Sequence, residues 1–337
     1  MRLALDPHQR ALIHAAERLG VEAIIEPDIE EHPFVPTPAD AVTYRRNGAS
    51  TCIIHGRIFE QLTPKVDALC ADKARAKRFL EELGLPTPKD LLFRQQTPPD
   101  VRADMIEAFL SATGAYAYVA KPLDGTNGED VYMDLRSSEK ILWRVSGLLE
   151  RGEDVLLEEQ APGQDLRVQV VGRTLVAACI REPACITGDG HSTIAELAAE
   201  KDLLVQQNNP QNRLLLDEES LRLLSEQDLS PASILARDQK IFVKRVANIG
   251  QGGLPVDVTD ALHPDYHSWC ERIAEALGLD IFALDLIAND AHSAPDKSGA
   301  VILEINAQPQ WLHHTFSQER THDIPALLFD ALLGTRA

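Results

Sequence analysis

The chain has 337 residues, of which 44% are apolar, and a formal net charge of −19. This length is enough to bury at least one sizeable core and favours two or three lobes. A surface this negative repels nucleic acid and anionic membranes, so neither is expected as a partner. Any site for an anionic ligand must therefore be a local pocket built from lysines, arginines and backbone N–H groups.

No segment of the sequence predicts export or membrane insertion. The longest apolar runs, such as residues 281–288, have the length of a strand and are far too short to span a membrane. The opening MRLALDPHQR matches neither a signal peptide nor a transit peptide. The five cysteines are scattered without a CxxC pair, which favours reduced thiols, and a catalytic role for Cys179 or Cys185 is not the favoured interpretation. The sequence therefore predicts a cytoplasmic protein.

Glycine and proline signals separate the elements predicted in the first ninety residues. Gly20 and Gly84 act as helix stop signals, and the dipeptide Asn47-Gly48 suits a type I′ turn. The predicted elements are a helix and a strand over 8–26, a proline-rich loop over 27–40, a hairpin over 42–56 and one helix over 64–84.

From about residue 90 the sequence predicts short strands alternating with helices and hairpins. This order favours a mixed α+β architecture over a doubly wound parallel sheet. Strands are predicted at 115–123, 155–161, 240–248, 280–289 and 300–308, a hairpin at 165–182, helices at 137–150, 192–207, 264–278 and 323–334, and a mostly helical stretch at 217–236.

Three polar side chains lie in the two apolar strands predicted at the end of the chain. Glu304 and Asn306 are two residues apart, so they point to the same face of their strand. An antiparallel hairpin would bring Asp285 beside Glu304, and two buried carboxylates repel unless a cation neutralises them. Two carboxylates and an amide suit Mg²⁺. The alternative is an edge strand with one wet face, and the trio alone does not decide between them.

Three further segments have compositions suited to binding a nucleotide. In 119–131 a strand ends at Lys121 and a glycine-containing turn follows, which allows backbone N–H groups to face an anion; the alternative is an ordinary hairpin. In 155–167 an acidic strand precedes Pro-Gly and an acid-x-Arg, which predicts either a hinge around a nucleoside or a solvated surface strand. In 244–260 basic residues precede several glycines, which predicts either an anion-binding loop or a linker.

The order of these features resembles that of the ATP-grasp superfamily, from about Ala71 to the C-terminus. Residues 164–197 and 243–265 are similar to the branch that contains the cyanophycin synthetases and the bifunctional glutathione synthetases; 188-GDGHSTI-194 and 248-NIGQGG-253 carry that similarity. The resemblance implies an α+β ATP-grasp fold, in which two subdomains clamp ATP. It divides the chain into a short N-terminal region over 1–68, an N-terminal subdomain over 69–157 and a C-terminal subdomain over 158–337.

The resemblance also implies which residues bind ATP and its metal. Lys73 and Lys121 would contact phosphates, beneath a flexible loop formed by Asp124–Gly128, which includes Gly125 and Asn127. Glu158, Glu159 and the backbone near Ala161 would form the adenine hinge, and Asp165 would contact the ribose. The ligands of Mg²⁺, with Mn²⁺ as the alternative ion, would be Asp285, Glu304 and Asn306.

The function implied is that of an ADP-forming carboxylate–amine ligase that acts through an acyl phosphate. Arg167, Arg181 and Arg245 would hold substrate, and Arg181, Arg245 and Asn248 would act in catalysis. The expected partners are an amino acid or short-peptide carboxylate and an amine. The alternatives are a ligase that adds amino acids to a protein terminus and a regulatory nucleotide-binding module without turnover. The oligomeric state stays open, with a homodimer as one option.

Overall fold

The structure is a computed structural model that describes residues 5–26, 32, 35, 39–124 and 130–334. Most of the proline-rich segment predicted as a loop lies outside the described residues. So do Gly125, Asn127 and Gly128 of the predicted phosphate loop.

The N-terminal region forms one helix and a small antiparallel sheet. Helix α1 (Pro7–Leu19) starts at Asp6, whose carboxylate accepts the His8 N–H, and ends at Gly20 with φ 65°. The sheet has the order β1-β2-β3, with β1 at Glu22–Ile25, β2 at Ala41–Arg46 and β3 at Ala49–Ile54. The predicted turn at Asn47-Gly48 is confirmed, because both residues have the positive φ that a type I′ turn needs.

Two helices form in residues 64–84, where one helix was predicted. Helix α2 (Pro64–Ala71) ends at Asp72, and α3 (Lys73–Glu82) begins immediately after it. The Asp72 carboxylate accepts the Arg75 N–H at 3.0 Å, so an N-cap inside the predicted helix starts a second one. This makes Lys73 the first residue of α3.

A four-stranded antiparallel sheet follows, in the order β4-β7-β5-β6. Its interior face packs against two helices through Phe93, Ile106, Ile141, Val145 and Leu157. Its elements are β4 (Asp90–Phe93), α4 (Pro99–Thr113), β5 (Tyr118–Pro122), β6 (Tyr132–Leu135), α5 (Ser138–Glu150) and β7 (Val155–Glu159).

The central sheet has five antiparallel strands in the order β12-β9-β8-β13-β14. Two predicted hairpins are confirmed in it: β8 turns into β9 at Gly172, which has φ 62°, and β13 pairs with β14. The strands are β8 (Gln164–Val171), β9 (Thr174–Glu182), β12 (Leu254–Asp257), β13 (Ile281–Ala288) and β14 (Val301–Asn306).

Between β9 and β12 the chain forms a small insertion of two helices and two short strands. It contains β10 (Cys185–Thr187), α6 (Ile194–Asn208), α7 (Glu218–Ser225) and β11 (Lys240–Phe242). Two predictions were too long here. The helix predicted over 217–236 stops near residue 225, since Asp228 has a positive φ and a proline follows. The strand predicted over 240–248 ends at Phe242, because β10 offers only three residues to pair with.

Both faces of the central sheet are covered. Helices α2, α3 and α8 (Asp265–Leu277) contribute to a core with Leu166, Phe282 and Leu284. On the other face α1, the small N-terminal sheet and α9 (Ile324–Leu333) pack around Trp311 and Phe329. Within the described ranges, no helix is long and apolar enough to cross a bilayer. The domain boundary at 157/158 stays a prediction; β7 continues through it to Glu159.

Candidate active site

A short connection joins the four-stranded sheet to the central sheet. The N–H of Gln160 donates to the Ala117 carbonyl at 2.9 Å, and its side-chain oxygen accepts the Asp134 N–H at 2.7 Å. Gly163 has φ 132°, and a Cβ there would lie 2.4 Å from the Ala288 carbonyl oxygen, so only glycine fits this approach to β13. The connection is therefore held at both ends.

A buried cluster of two lysines and one glutamate lies on the four-stranded sheet. The Lys77 Nζ is 2.7 Å from one oxygen of Glu158, and the Lys121 Nζ is 2.6 Å from the other. Lys77 also donates to the Pro88 carbonyl at 2.9 Å. Burial alone would raise the pKa of Glu158, but the ammonium groups of Lys121 and Lys77 outweigh it and lower that pKa. Glu158 thus positions Lys121; its predicted contact with adenine stays a prediction.

Lys73 connects this cluster to the carboxylates of the central sheet. Its Nζ donates to the Leu123 carbonyl at 3.2 Å, at the start of the predicted phosphate loop. Burial lowers the pKa of Lys73, the nearby Glu304 raises it and Lys121 lowers it further. Lys73 is therefore near both the lysine cluster and the predicted metal ligands.

The predicted metal ligands are brought together by the closing hairpin. Asp285 is paired directly with Glu304 in the β13–β14 register, which confirms the predicted pairing. The Asn306 Nδ2 is 3.1 Å from Glu304 Oε1 and 3.4 Å from Asp285 Oδ2. Burial and the Asp285 charge raise the pKa of Glu304, so a nearby cation would favour its ionised form.

Two arginines flank these carboxylates on neighbouring strands. The Arg167 guanidinium donates to Asp285 at 2.6 Å, and a nitrogen of Arg181 is 2.6 Å from Asp165 and 3.4 Å from Asp285. Burial would raise the pKa of Asp285, yet Arg167 and Arg181 lower it overall. Burial raises the pKa of Asp165 despite its contact with Arg181. Asp165 is thus engaged by an arginine, and its contact with ribose remains a prediction.

Other predicted residues lie apart from this network. The Arg245 guanidinium is 2.6 Å from Glu226, which follows α7, and its side chain is 42% exposed. The Asn248 side chain accepts the Gly250 N–H at 2.8 Å and starts a short turn at Ile249–Gln251. Within the described part of the chain, no hydrogen bond or ion pair is seen from either residue to Asp285 or Glu304. The catalytic roles of Arg245 and Asn248 therefore stay predictions.

The remaining predicted residues lie close to the ends of β5 and β7 and in the connection between the two sheets. Asp124 is exposed, and its charge opposes the lowering of the Lys73 pKa by burial. Glu159 ends β7, with a carboxylate oxygen 4.0 Å from the Lys89 Nζ. Ala161 is half-buried in the connection between the sheets. These positions are compatible with a nucleotide hinge, which stays a prediction.

Lys77 is the residue of this site that the sequence analysis missed. It lies four residues after Lys73 on α3, so both side chains lie on one face of that helix. That spacing could have identified it. The Arg167–Asp285 contact was not predicted either, because it depends on the pairing of β8 with β13 across more than a hundred residues.

The structure has two antiparallel sheets joined by a short connection. Buried lysines lie at the first sheet, a carboxylate–amide set lies on the second, and the half-buried Lys73 interacts with both. These features are those of the ATP-grasp class of fold. Comparison with solved structures confirms the fold: a bifunctional glutathione synthetase from Pasteurella multocida superimposes with a TM-score of 0.67 and 21% identity, over 96% of this chain and 43% of that chain.

Sequence comparison gives the relatives of this chain. Cyanophycin synthetase of Geminocystis herdmanii is 29% identical over 98% of this chain and 38% of the relative. The glutathione biosynthesis bifunctional protein GshAB of Mannheimia succiniciproducens is 31% identical over 54% of this chain and 25% of the relative. No family model matches. The chain is thus a homologue of both groups, as the motif order predicted, and it spans well under half the length of these relatives.

Proposed function

We propose that this chain is an ATP-dependent carboxylate–amine ligase that forms an amide bond through an acyl phosphate. The observation that carries the proposal is the position of Lys73. Its ammonium group contacts the chain at Leu123, before the predicted phosphate loop, and interacts electrostatically with Glu304. A cation there can stabilise phosphate oxygens that lie between the lysine cluster and the metal ligands.

Asp285, Glu304 and Asn306 would hold Mg²⁺, with Mn²⁺ as the alternative ion. The donor set fits a hard cation, because two carboxylates and an amide oxygen are the ligands that Mg²⁺ prefers. The raised pKa of Glu304 is a second sign of fit, since burial and the Asp285 charge disfavour its ionised form and a bound cation would offset both. Turning the Asn306 amide would present its oxygen in place of its nitrogen. The ion would neutralise charge on the phosphates.

The reaction follows from the charges around the site. A carboxylate is unreactive towards amines, because its leaving group would be oxide. Transfer of the γ-phosphoryl group to the carboxylate forms an acyl phosphate and ADP, and Lys73 and Lys121 would neutralise charge on the transferred group. The amine then attacks the acyl carbon, and phosphate leaves. Arg181 is a candidate for stabilising the oxyanion, because its half-buried guanidinium lies 3.4 Å from Asp285 of the proposed metal site. No nucleophilic side chain is required.

The carboxylate substrate is proposed to be an amino acid or a short peptide. Arg167 and Arg181 lie beside the metal ligands and can bind carboxylates in a bidentate manner. One group of relatives is named for the synthesis of cyanophycin and the other for the biosynthesis of glutathione. These partners, a cytoplasmic location and the absence of nucleic-acid and membrane partners are part of the proposal.

Two alternatives remain, and they differ in their products. A ligase that adds amino acids to a protein terminus would release ADP only with a protein acceptor. A regulatory module would bind ATP without turnover, but the complete set of Asp285, Glu304 and Asn306 favours an enzyme, because a module without turnover would not need every ligand.

The proposal is tested by an ADP-release screen over amino acids and short acidic peptides, followed by mass analysis of the products. With both substrates present we expect ADP, phosphate and an amide in equal amounts. With the carboxylate alone, hydroxylamine should yield a hydroxamate. A product phosphorylated on a hydroxyl group, or AMP with pyrophosphate, would contradict the proposed mechanism.

A further inference from the structure

A cysteine and two histidines meet in the interior, apart from the carboxylate set. Cys179 lies on β9, and His313 and His314 lie in a short turn after β14 (Leu312–Thr315). Cys179 and His314 are 0% exposed and His313 is 6% exposed. Their sulfur and ring nitrogen atoms all lie within 4.8 Å of one another.

The ring nitrogens of these histidines lack the partners that buried imidazoles normally have. Among the described residues, the Nε2 atom of His313 and both ring nitrogens of His314 have no hydrogen-bond partner. Buried polar atoms are nearly always paired, so an unpaired group calls for an explanation such as an ion. Both rings also stay neutral, since burial lowers their pKa well below the ordinary value. Neutral imidazole is the form that binds metal ions.

The ligand chemistry indicates the class of ion. One thiolate and two imidazoles suit a borderline or soft cation such as Zn²⁺, whereas Mg²⁺ prefers oxygen ligands. Ligand atoms around tetrahedral zinc lie roughly 3.3–3.6 Å apart, given bonds of about 2.0–2.3 Å, so modest side-chain rotations would close the set. Three protein ligands would leave a fourth position for water or another side chain.

The charges around the cluster do not exclude such a cation. Arg167 and Arg181 lie close enough to lower the pKa of both histidines, and they would repel a cation. Each of them, however, is paired with a carboxylate at 2.6 Å, which offsets its charge. Asp257 is also buried and directly opposite Cys179 in the strand register.

We propose that Cys179, His313 and His314 form a binding site for a thiolate-accepting transition-metal ion of the Zn²⁺ type, separate from the proposed Mg²⁺ site. Binding replaces the thiol proton with the metal and releases that proton, with no change of oxidation state. The ion would fasten the turn after β14 to β9, behind the arginines that contact Asp285. It would act as a structural clamp beside the proposed active site.

The test uses the intact protein, with Zn²⁺ and Co²⁺ as probes. The protein is purified from zinc-containing medium and exchanged into excess Mg²⁺, which saturates oxygen-ligand sites. We expect zinc to remain in equal molar amount with the chain. After removal by a chelator, Co²⁺ should restore a sulfur-to-cobalt charge-transfer band, which a site built of oxygen ligands cannot give. This spectrum needs no variant.

Variants identify the ligands. Cys179→Ser should abolish the band and weaken Zn²⁺ binding beyond the roughly 10- to 100-fold typical of lost outer-shell partners. Cys270→Ser is the matched control, because Cys270 is equally buried, at 1% exposure, but lies on α8. It should keep the band, as should Asp285→Asn. Zinc lost during the Mg²⁺ exchange, no charge-transfer band in the wild type, or equal Zn²⁺ binding by the two cysteine variants would overturn the proposal.

Discussion

Replacing Lys77 by Met tests whether the buried lysine–glutamate cluster organises the site. Lys77 is 0% exposed, with its Nζ 2.7 Å from Glu158 and 2.9 Å from the Pro88 carbonyl. Met preserves most of the packing but removes the charge and the hydrogen bond. Removing one partner of a buried ion pair typically costs about 3–5 kcal/mol. Because Glu158 keeps Lys121 at 2.6 Å, we expect the lower end, about 3 kcal/mol.

The assay is urea unfolding followed by circular dichroism and tryptophan fluorescence. For a protein of this size, 3 kcal/mol should lower the urea midpoint by roughly 1 M. Lys89→Met is the matched control: Lys89 is exposed and 4.0 Å from Glu159, so its loss should cost less than about 1 kcal/mol. Adding Glu158→Gln to Lys77→Met should cost less than the sum of the single changes, since the two residues interact. Equal effects of the two lysine changes would refute the reasoning.

Three further predictions concern phosphate binding by Lys121, the connection between the two sheets at Gly163, and the buried histidines His313 and His314. Lys121→Ala should weaken ATP binding at least tenfold and adenosine binding little, because adenosine has no phosphate; calorimetry that shows equal losses would make the lysine structural. Gly163→Ala should lower the melting temperature clearly, because its Cβ would lie 2.4 Å from the Ala288 carbonyl oxygen; an unchanged melting curve would contradict that contact. Burial lowers the pKa of His313 and His314 well below 6.5, so in chelator-treated protein their contribution to stability should fall as pH drops below 6.5, where these two rings take up protons in the unfolded chain but not in the folded one. His314→Gln should flatten this pH dependence, and an identical slope in the variant would contradict it.

Local signals predicted the fold where the chain pairs with its own neighbours. The turn at Asn47-Gly48 and the hairpin at Gly172 need positive φ angles, which those residues adopt readily. The Asp285–Glu304 pairing followed from two apolar strands separated by a polar segment. Prediction of element lengths was wrong where longer-range structure decides them. At Asp72 an N-cap divides the predicted helix, and at Phe242 the short partner strand β10 ends the predicted strand.

The site was predictable in its residue types but not in its contacts. Lys121, Glu158 and Asp165 were predicted to contact phosphate, adenine and ribose, and these roles stay predictions. The structure adds ion pairs that were not predicted, between Glu158 and Lys121 and between Asp165 and Arg181. The Asp165–Arg181 pair forms across the β8–β9 hairpin. The Glu158–Lys121 pair depends on the register between β5 and β7, which β6 and α5 separate in the chain, and a single sequence does not contain that register. The buried cluster around Cys179 was missed for the same reason, since its members are more than a hundred residues apart.

The most direct test of the proposed ligase activity is the product balance of wild-type protein and Glu304→Gln. With an accepted carboxylate and amine, wild type should form ADP and amide in a one-to-one ratio that depends on Mg²⁺. Gln keeps the size of the side chain but removes the negative charge beside Asp285, so the variant should stay folded, still bind adenosine and form neither product. ADP and amide formation by Glu304→Gln at the wild-type rate would contradict the account.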